Sequence, residues 1–336
     1  MNTRSACISI LFILLVGCRD KDPAPAGVQE PQLLVSLGQR MFFDTRLSDD
    51  GATSCATCHQ PDHAFADPVR LSKGVTGLEL PRNSPSVLYS GAYKSFTWAN
   101  PILMTLESTI LVPLFGENPP EQHIGPRESA IYGAIFADTD LSQWRSTLIG
   151  TNEREATRRL VIDSLVHFVR SLAPYQSPYD RYRAGQESAL SETARAGLDL
   201  FMGRAQCSSC HSGTLFNGQA EDGEGGLTAN IFRRNGLSDR EPRPGEAPGL
   251  AEFTGKPEDW NLFRVPSLRN VVQTAPYLHD GSVEDLPTLL GQYNQALKLG
   301  LSEAELAQLR DFLEALSDPP DWFANFTQDL DRTVKP

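Results

Sequence analysis

The sequence predicts an all-α protein of two tandem domains with long irregular loops, and three observations predict it. Apolar residues recur at helical spacing in several segments, while little of either half alternates in the manner of a strand. The string Cys-x-x-Cys-His occurs once in each half, at residues 55–59 and 207–211. The chain has 336 residues, which is more than a single hydrophobic core usually covers.

In chain order, the first feature is an export signal. Arg4 precedes an apolar run that is too short to span a bilayer. Because the run ends in Leu-Val-Gly-Cys, residues 1–17 resemble a bacterial lipoprotein signal peptide, in which Cys18 becomes the lipidated N-terminus. An ordinary cleaved signal with a spare cysteine is the alternative. Residues 18–30 read as a flexible tether. The predicted location is the periplasm, with the protein held to a membrane by its lipid alone.

Each half then begins with a helix that precedes its copy of the string. Gly38 stands four residues ahead of Phe42, and Gly197 stands four residues ahead of Phe201. Residues four apart lie on one face of a helix. Glycine on that face admits the close approach of a crossing helix.

Each half also ends in a predicted helix. Apolar periodicity predicts one over 154–172, and Ser302 with Glu305 forms a capping box before the other. A polar segment between the halves, 173–189, separates them.

The predicted domains are therefore residues 31–180 and 185–325. A long Gly- and Pro-rich loop over 212–257 lies within the second domain. Loops of that length inside a domain are usually functional, so this one is predicted to wrap a bound group or to meet a partner.

The repeated string points to a specific cofactor, because Cys-x-x-Cys-His is the attachment signature of c-type haem. The two thiols add to the porphyrin vinyl groups, and the adjacent histidine supplies an axial bond to iron. A zinc site or a redox dithiol does not call for a histidine after both copies. We therefore expect one covalent haem c in each of two cytochrome c-like domains, on the residues Cys55, Cys58, His59, Cys207, Cys210 and His211.

The formal net charge of −12 argues against nucleic acid as a partner. With one cysteine assigned to lipid and four to haem, no cysteine of the exported chain remains for a disulfide.

Around the haem strings, the chain resembles the bacterial dihaem cytochrome c peroxidase and MauG superfamily. The similarity covers about residues 33–316. It rests on Trp98 and on the segments 81–85 (Pro-Arg-Asn-Ser-Pro), 265–270 (Val-Pro-Ser-Leu-Arg-Asn) and 274–281 (Thr-Ala-Pro-Tyr-Leu-His-Asp-Gly). Within the superfamily, segments 97–101 and 112–117 look most like the MbnH branch, whose members oxidise a tryptophan on a partner protein.

The resemblance implies that the haem at His59 is peroxidatic. Some dihaem peroxidases close the opposite face with a histidine sixteen residues later, but here that position is Val75 and 71–81 contains no histidine. This face is therefore expected to be open to hydrogen peroxide. His63, four residues after His59, is interpreted as a surface residue or a neighbour of the haem ligands.

The family also uses a glutamate to move a proton between the two peroxide oxygens. The segment Asn118-Pro119-Pro120-Glu121 matches its motif and points to Glu121, with Glu117 as a rival because two residues are inserted. Thr109 stands where the family usually has a glutamine. His123 is interpreted as a surface loop residue.

The haem at His211 is the implied electron-transfer centre. Ordinary peroxidases supply its second axial bond from a methionine twelve residues after His-Asp-Gly, but here that residue is Tyr293 and no methionine follows Met202. MauG-type proteins place a tyrosine there, and a phenolate stabilises ferric iron. The alternative is that Tyr293 only packs in the core.

Three further assignments follow from the resemblance. Trp98 matches the tryptophan that lies between the two haems and relays charge. Asn83, Thr274 and Pro276 match the residues that hold a calcium ion, and oxygen ligands suit calcium. His279 is expected to anchor a haem through hydrogen bonds.

The predicted function is that of a haem peroxidase. It would use hydrogen peroxide to oxidise a secreted partner protein, at an aromatic side chain such as Trp, through high-valent haem iron. An ordinary cytochrome c peroxidase that draws electrons from a small cytochrome is the alternative within the enzymes. A dihaem electron carrier is the alternative outside them.

Overall fold

The computed structural model describes residues 30–219, 231–237 and 246–323. The predicted signal peptide, the lipidation site Cys18 and the tether up to residue 29 lie outside these ranges. Glu30, which the sequence analysis placed in the tether, instead begins the first helix. None of the helices in the described ranges is long and apolar enough to cross a membrane.

The described residues are mainly helical, which confirms the predicted all-α class. One small antiparallel ribbon joins β1 (Phe232–Arg233) to β2 (Phe263–Arg264). The helices are α1 (Glu30–Phe43), α2 (Cys55–Cys58), α3 (Leu106–Phe115), α4 (Glu128–Ile135), α5 (Thr139–Ile149), α6 (Arg154–Ser171), α7 (Pro178–Arg183), α8 (Glu192–Met202), α9 (Ala251–Thr254), α10 (Leu286–Ala296) and α11 (Glu303–Glu314).

Each half contains a pair of crossing helices, and the two pairs are arranged in the same way. In the first half α1 packs against α6, and in the second α8 packs against α11. A Cβ atom on Gly38 would lie 1.8 Å from the carbonyl oxygen of Ser164, and one on Gly197 would lie 1.9 Å from that of Gln308. Both glycines are therefore required by the closeness of the crossing, as the sequence repeat predicted.

An aromatic cluster fills each crossing in the same way. In the first half, the Phe42 ring lies 5.1 Å from that of Phe168 and 6.0 Å from that of Phe65. The second half repeats the arrangement with Phe201, 5.2 Å from Phe312 and 5.7 Å from Phe216. These centroid distances are typical of favourable edge-to-face pairs. Each half is thus built around one glycine, three phenylalanines and one haem string.

The helix ends follow local sequence. The predicted capping box opens α11: the Glu305 amide donates to the Ser302 hydroxyl, and the Glu305 carboxylate accepts from the Ser302 amide at 2.8 Å. In α3, Pro113 occupies the last turn. The Pro113 carbonyl oxygen accepts from the Gln122 amide at 2.9 Å, which folds the following loop back along the helix.

The larger hydrophobic clusters of the described residues are two, one mainly in each half of the chain. One core runs from Leu37 to Leu172 with contributions from Leu215 and Phe323, and the other extends from Tyr179 to Leu316. Tyr179 of α7 belongs to the second core.

Candidate active site

The first haem string forms a single turn of helix. α2 holds Cys55 and Cys58, and the His59 amide donates to the Cys55 carbonyl oxygen at 2.9 Å. Both sulfurs and the imidazole therefore come from one rigid turn. The His59 Nδ1 lies 3.2 Å from the Phe65 carbonyl oxygen. Since a carbonyl can only accept, Nδ1 carries the proton and Nε2 keeps its lone pair for a metal.

The second string has the same frame, by which we mean the same backbone turn and the same carbonyl contact to the histidine. The His211 amide donates to the Cys207 carbonyl oxygen at 2.9 Å, and His211 Nδ1 lies 2.8 Å from the Phe216 carbonyl oxygen. Phe65 and Phe216 both adopt left-handed backbone, with φ of 57° and 52°. Burial lowers the pKa of both His59 and His211, so the neutral imidazole is the favoured form. The two histidines are therefore oriented in the same way, each with its Nε2 lone pair available to a metal.

The cysteines fit thioether attachment better than metal or redox chemistry. All four in the described residues are free thiols. Burial raises the pKa of Cys55, Cys58 and Cys207 to about 11. Thiols that exchange disulfides instead need a lowered pKa, because the thiolate is the reactive form. The redox-dithiol alternative is therefore disfavoured. Zinc is disfavoured because no group of three or more His, Cys, Asp or Glu side chains in the described ranges could hold a metal ion.

A cavity of about 500 Å³ adjoins the second string. His211 lies in its wall together with both cysteines, and apolar side chains cover much of the rest: Leu286, Leu289, Leu290, Leu309 and Leu313. Arg233, Arg234 and Asn235 of the long second-domain loop also line the cavity, in keeping with the predicted wrapping role of that loop. An apolar cavity with two thiols and a histidine at one wall fits a covalently attached haem.

Tyr293 lies in the wall of this cavity, on α10. Burial raises the pKa of the Tyr293 phenol to about 12, and the two cysteines of the string add to the effect through their charge. Cys207 and Cys210 line the same cavity as Tyr293. Met202, the last methionine of the chain, is 60% exposed and is absent from the residues that line the cavity. The structure therefore brings Tyr293 and His211 into one pocket.

Glu121 lies beside the first string. The Val75 amide donates to the Glu121 carbonyl oxygen at 3.0 Å, which fixes the segment. Burial raises the pKa of the Glu121 carboxyl, and its charge in turn raises the pKa of Cys55 and Cys58. Glu117 is exposed. Of the two candidate carboxylates, Glu121 is the one whose charge acts on Cys55 and Cys58.

Gln122 is a residue of this site that the sequence analysis missed. It is 3% exposed, and its Nε2 donates to the Cys55 sulfur at 3.4 Å. The Thr109 hydroxyl donates instead to the Thr105 carbonyl oxygen of its own helix at 2.8 Å. The side-chain amide at this site therefore comes from the residue next to Glu121, and only the fold of the loop after Pro113 reveals it.

The two loop histidines lie apart from these contacts. His123 Nδ1 is 3.9 Å from an Asp49 carboxylate oxygen, which agrees with a loop position. His63 borders an open crevice of about 810 Å³ between residues 61–70 and 272–284, and its Nδ1 is buried without a hydrogen-bond partner in the described chain.

Trp98 joins the two halves at the second cavity. Its Nε1 donates to the Asn83 carbonyl oxygen at 2.8 Å, and its carbonyl oxygen accepts from the Arg264 amide at 2.7 Å. The Arg264 guanidinium lies 6.0 Å from the Trp98 ring and 5.4 Å from that of Tyr93. The indole is thus fixed at the contact between domains.

The three residues predicted to bind calcium also line this cavity. The Asn83 side-chain amide donates to the carbonyl oxygens of Val69 and Arg70 at 3.3 and 3.2 Å, and the Thr274 hydroxyl donates to Val271. Nearby, the His279 ring stacks on Phe263 at 3.8 Å, and burial lowers its pKa. In the described ranges, no group of three or more histidine, cysteine, aspartate or glutamate side chains forms a metal site.

Two partly buried histidines, each with a pair of cysteines on one turn, define a dihaem c-type protein. The comparisons agree: residues 32–188 match the family model for dihaem cytochrome c peroxidase. A cytochrome-c peroxidase of Denitromonas iodatirespirans is 30% identical, over 88% of this chain and 85% of that protein. The methylamine utilization protein MauG of Methylorubrum extorquens is also 30% identical, over 85% and 78% of the two chains.

A solved MauG-like protein associated with microbial copper homeostasis is 34% identical, with a TM-score of 0.79 over 85% of this chain and 90% of that one. The chain belongs to the dihaem cytochrome c peroxidase and MauG family. It is a haem peroxidase with two haem c groups, and hydrogen peroxide is its oxidant.

Proposed function

We propose that this peroxidase uses hydrogen peroxide to oxidise an aromatic side chain, such as Trp, on a secreted partner protein. One observation carries the proposal: the two haem strings share a frame, but a glutamate lies beside the first and a tyrosine faces the second. The 34% identity to a MauG-like protein over most of both chains supports the MauG-like form of the function.

The cofactors would be held by Cys55, Cys58 and His59 in the first half and by Cys207, Cys210 and His211 in the second. Bound there, haem iron supplies electron exchange and, where one face is open, a site for peroxide.

Glu121 would move the proton in the first pocket. Its carboxylate takes a proton from one peroxide oxygen and returns it to the leaving oxygen, which requires a pKa near the working pH. Burial raises the pKa of Glu121 in that direction. Residues 71–81, which run beside it, contain no histidine that could close the pocket.

Tyr293 would close the second haem with a phenol oxygen. A hard oxygen ligand favours ferric iron and lowers the potential, whereas a thioether raises it. Such a centre is a poor relay for a high-potential donor, and it suits an enzyme that holds oxidising equivalents for a partner. Trp98 would carry charge between the two haems, with its ring fixed by the bond to Asn83.

The second candidate is an ordinary peroxidase that takes electrons from a small cytochrome. Relatives named cytochrome-c peroxidase at 29–30% identity favour it. A dihaem electron carrier would require both irons to be six-coordinate, which an open face at His59 opposes.

Two accessory assignments belong to the proposal. A calcium ion would bind Asn83, Thr274 and Pro276 through an amide oxygen and backbone carbonyls, and the three residues line one cavity. Export to the periplasm and lipid attachment at Cys18 follow from the leader sequence alone.

The test uses the purified dihaem protein without pre-reduction. We expect peroxide to change the ferric spectrum at once and reduced cytochrome c to be oxidised only slowly. Rapid, steady turnover of cytochrome c would favour the detoxifying peroxidase. A ferric spectrum that is indifferent to peroxide would favour the electron carrier.

A further inference from the structure

One oxidisable side chain in the wall of the second cavity has no role in the proposed function. Tyr89 comes from the first half, is 1% exposed, and lines the cavity with His211 and Tyr293. Its hydroxyl donates to the carboxylate of Asp318, which lies 229 positions later in the chain and is also 1% exposed. A phenol beside the cofactor cavity therefore has a proton acceptor already in place.

Asp318 is fitted to accept that proton. Its other hydrogen bonds come from neutral donors, the Asn270 side-chain amide and the Gln176 backbone amide, each at 2.8 Å. Within the described ranges no cationic side chain forms an ion pair with it.

A second tyrosine continues from Tyr89 to the surface. The Tyr175 ring lies 4.8 Å from the Tyr89 ring, and the planes of the two rings are inclined at 64°. Tyr175 is 40% exposed. A single ring-to-ring contact therefore joins the cavity wall to solvent.

The backbone of both tyrosines is strained. Tyr89 has a φ of 61° and Tyr175 a φ of 49°, and bulky side chains seldom occupy this left-handed region. Such conformations persist only where the surrounding structure enforces them, and they cluster at functional sites. The surrounding fold thus holds both tyrosines in a backbone conformation that bulky residues disfavour.

Arg269 decides which form of oxidation this pair allows. Its guanidinium carbon lies 5.8 Å from the Tyr89 ring and 5.6 Å from the Tyr175 ring. A cation near a ring opposes the removal of an electron that would leave a second positive charge there. Asp180 pairs with Arg269 at 2.7 Å and offsets part of its charge. Loss of the phenol proton together with the electron is the favoured form of oxidation: to Asp318 from Tyr89, and to solvent from Tyr175.

We propose that Tyr89 and Tyr175 form an electron-entry route from the protein surface to the second cavity. This inference rests on the proposed function and names the point where the reductant acts. The oxidising equivalent derives from hydrogen peroxide. Tyr89 gives one electron to the oxidised centre in the cavity, and its phenol proton passes to Asp318.

The next step restores Tyr89. Tyr175 gives one electron to the Tyr89 oxyl radical, Asp318 returns the proton to the Tyr89 oxygen, and the phenol proton of Tyr175 goes to water. A one-electron donor of phenol or indole type, such as an aromatic side chain of a partner, then reduces Tyr175, which takes a proton back from water. Two such passages consume one peroxide.

The test mixes the dihaem protein with peroxide in the absence of a reductant. Rapid-freeze electron paramagnetic resonance should show a neutral tyrosyl radical, and a nitroso spin trap followed by peptide mass spectrometry should label Tyr175. Tyr89→Phe should abolish that label, and Asp318→Asn should slow its appearance by about 100-fold, the scale of a lost proton acceptor.

Tyr132→Phe is the matched control, since Tyr132 is a buried tyrosine of the first core that does not line the cavity. It should leave the label unchanged. Haem absorption of each variant checks that it folds. Equal labelling of Tyr175 in Tyr89→Phe and in the wild type would overturn the route alone. A wild-type protein whose haems ignore peroxide would overturn the proposed function, and the route with it.

Discussion

The two halves of the molecule use one frame for two purposes. In each, a glycine lets two helices touch, three phenylalanines fill the crossing, and a left-handed phenylalanine turns its carbonyl towards the haem-string histidine. They differ in what lies near that histidine. In the first half, the loop after Pro113 brings a glutamate, whereas α10 brings a tyrosine in the second. Attachment of haem therefore depends on the shared frame, and reactivity depends on the residues added to it.

The largest effect is expected from a substitution that removes the tyrosine specific to the second half. Tyr293→Phe should convert one iron completely from low-spin to high-spin, because no other residue is proposed to close that face. Electron paramagnetic resonance of the ferric protein measures it. The haem at His59 serves as an internal control and should keep its signal. Unchanged low-spin character would show that Tyr293 only packs in the core.

The next effect concerns the first half. Glu121→Gln should slow the reaction with peroxide by about 10²–10⁴-fold, the range for a lost general acid–base group. Stopped-flow absorbance gives the rate constant. Glu117→Gln is the matched control and should react as the wild type does, because Glu117 is exposed. If Glu117→Gln slowed the peroxide reaction more than Glu121→Gln, Glu117 would be the proton carrier.

The pH dependence of the peroxide rate constant tests the assignment of Glu121 as the proton carrier. Burial raises the pKa of Glu121, and only its deprotonated form can take a proton from peroxide. The rate constant should therefore fall as the pH drops through this raised pKa, and it should recover as the pH rises. In Glu121→Gln the profile should be flat over that range. A wild-type rate that increases on acidification would contradict a base at this position.

A smaller effect tests whether the frame is shared. Gly38→Ala and Gly197→Ala each place a methyl group within 2 Å of a backbone carbonyl oxygen, so each should lose stability at the upper end of about 1–3 kcal/mol or beyond it. Gly133→Ala in α4 is the control, because its methyl group meets nothing within 4 Å and alanine favours a helix. Denaturant melts compare them. A neutral Gly197→Ala beside a damaging Gly38→Ala would break the equivalence of the halves.

The smallest effect is expected at Gln122. Gln122→Leu removes the hydrogen bond to the Cys55 sulfur and should change the peroxide rate by the equivalent of about 1 kcal/mol. The same stopped-flow assay applies. A loss as large as that of Glu121→Gln would make the amide a principal group of the first pocket.

The shared frame was largely predictable and the pockets only in part. Gly38 and Phe42 repeat as Gly197 and Phe201 at a fixed spacing, which helical periodicity makes visible. The backbone turns at Phe65 and Phe216 have no such signal, because they are set by tertiary contacts.

Contacts between residues that are far apart in the sequence were not predicted either. Gln122 reaches Cys55 across 67 positions, and Tyr89 reaches Asp318 across 229. Tyr293 was predicted from its place twelve residues after His-Asp-Gly, where the family resemblance expects an axial ligand and no methionine is present. Sequence spacing predicts residues that share a helix face, and it does not predict which loops meet.

The most direct test of the asymmetry is electron paramagnetic resonance of the resting ferric protein with both haems, before and after addition of peroxide. The account predicts one high-spin signal, which disappears with peroxide, and one low-spin signal from the centre closed by Tyr293. Two low-spin signals that are both unaffected by peroxide would contradict it.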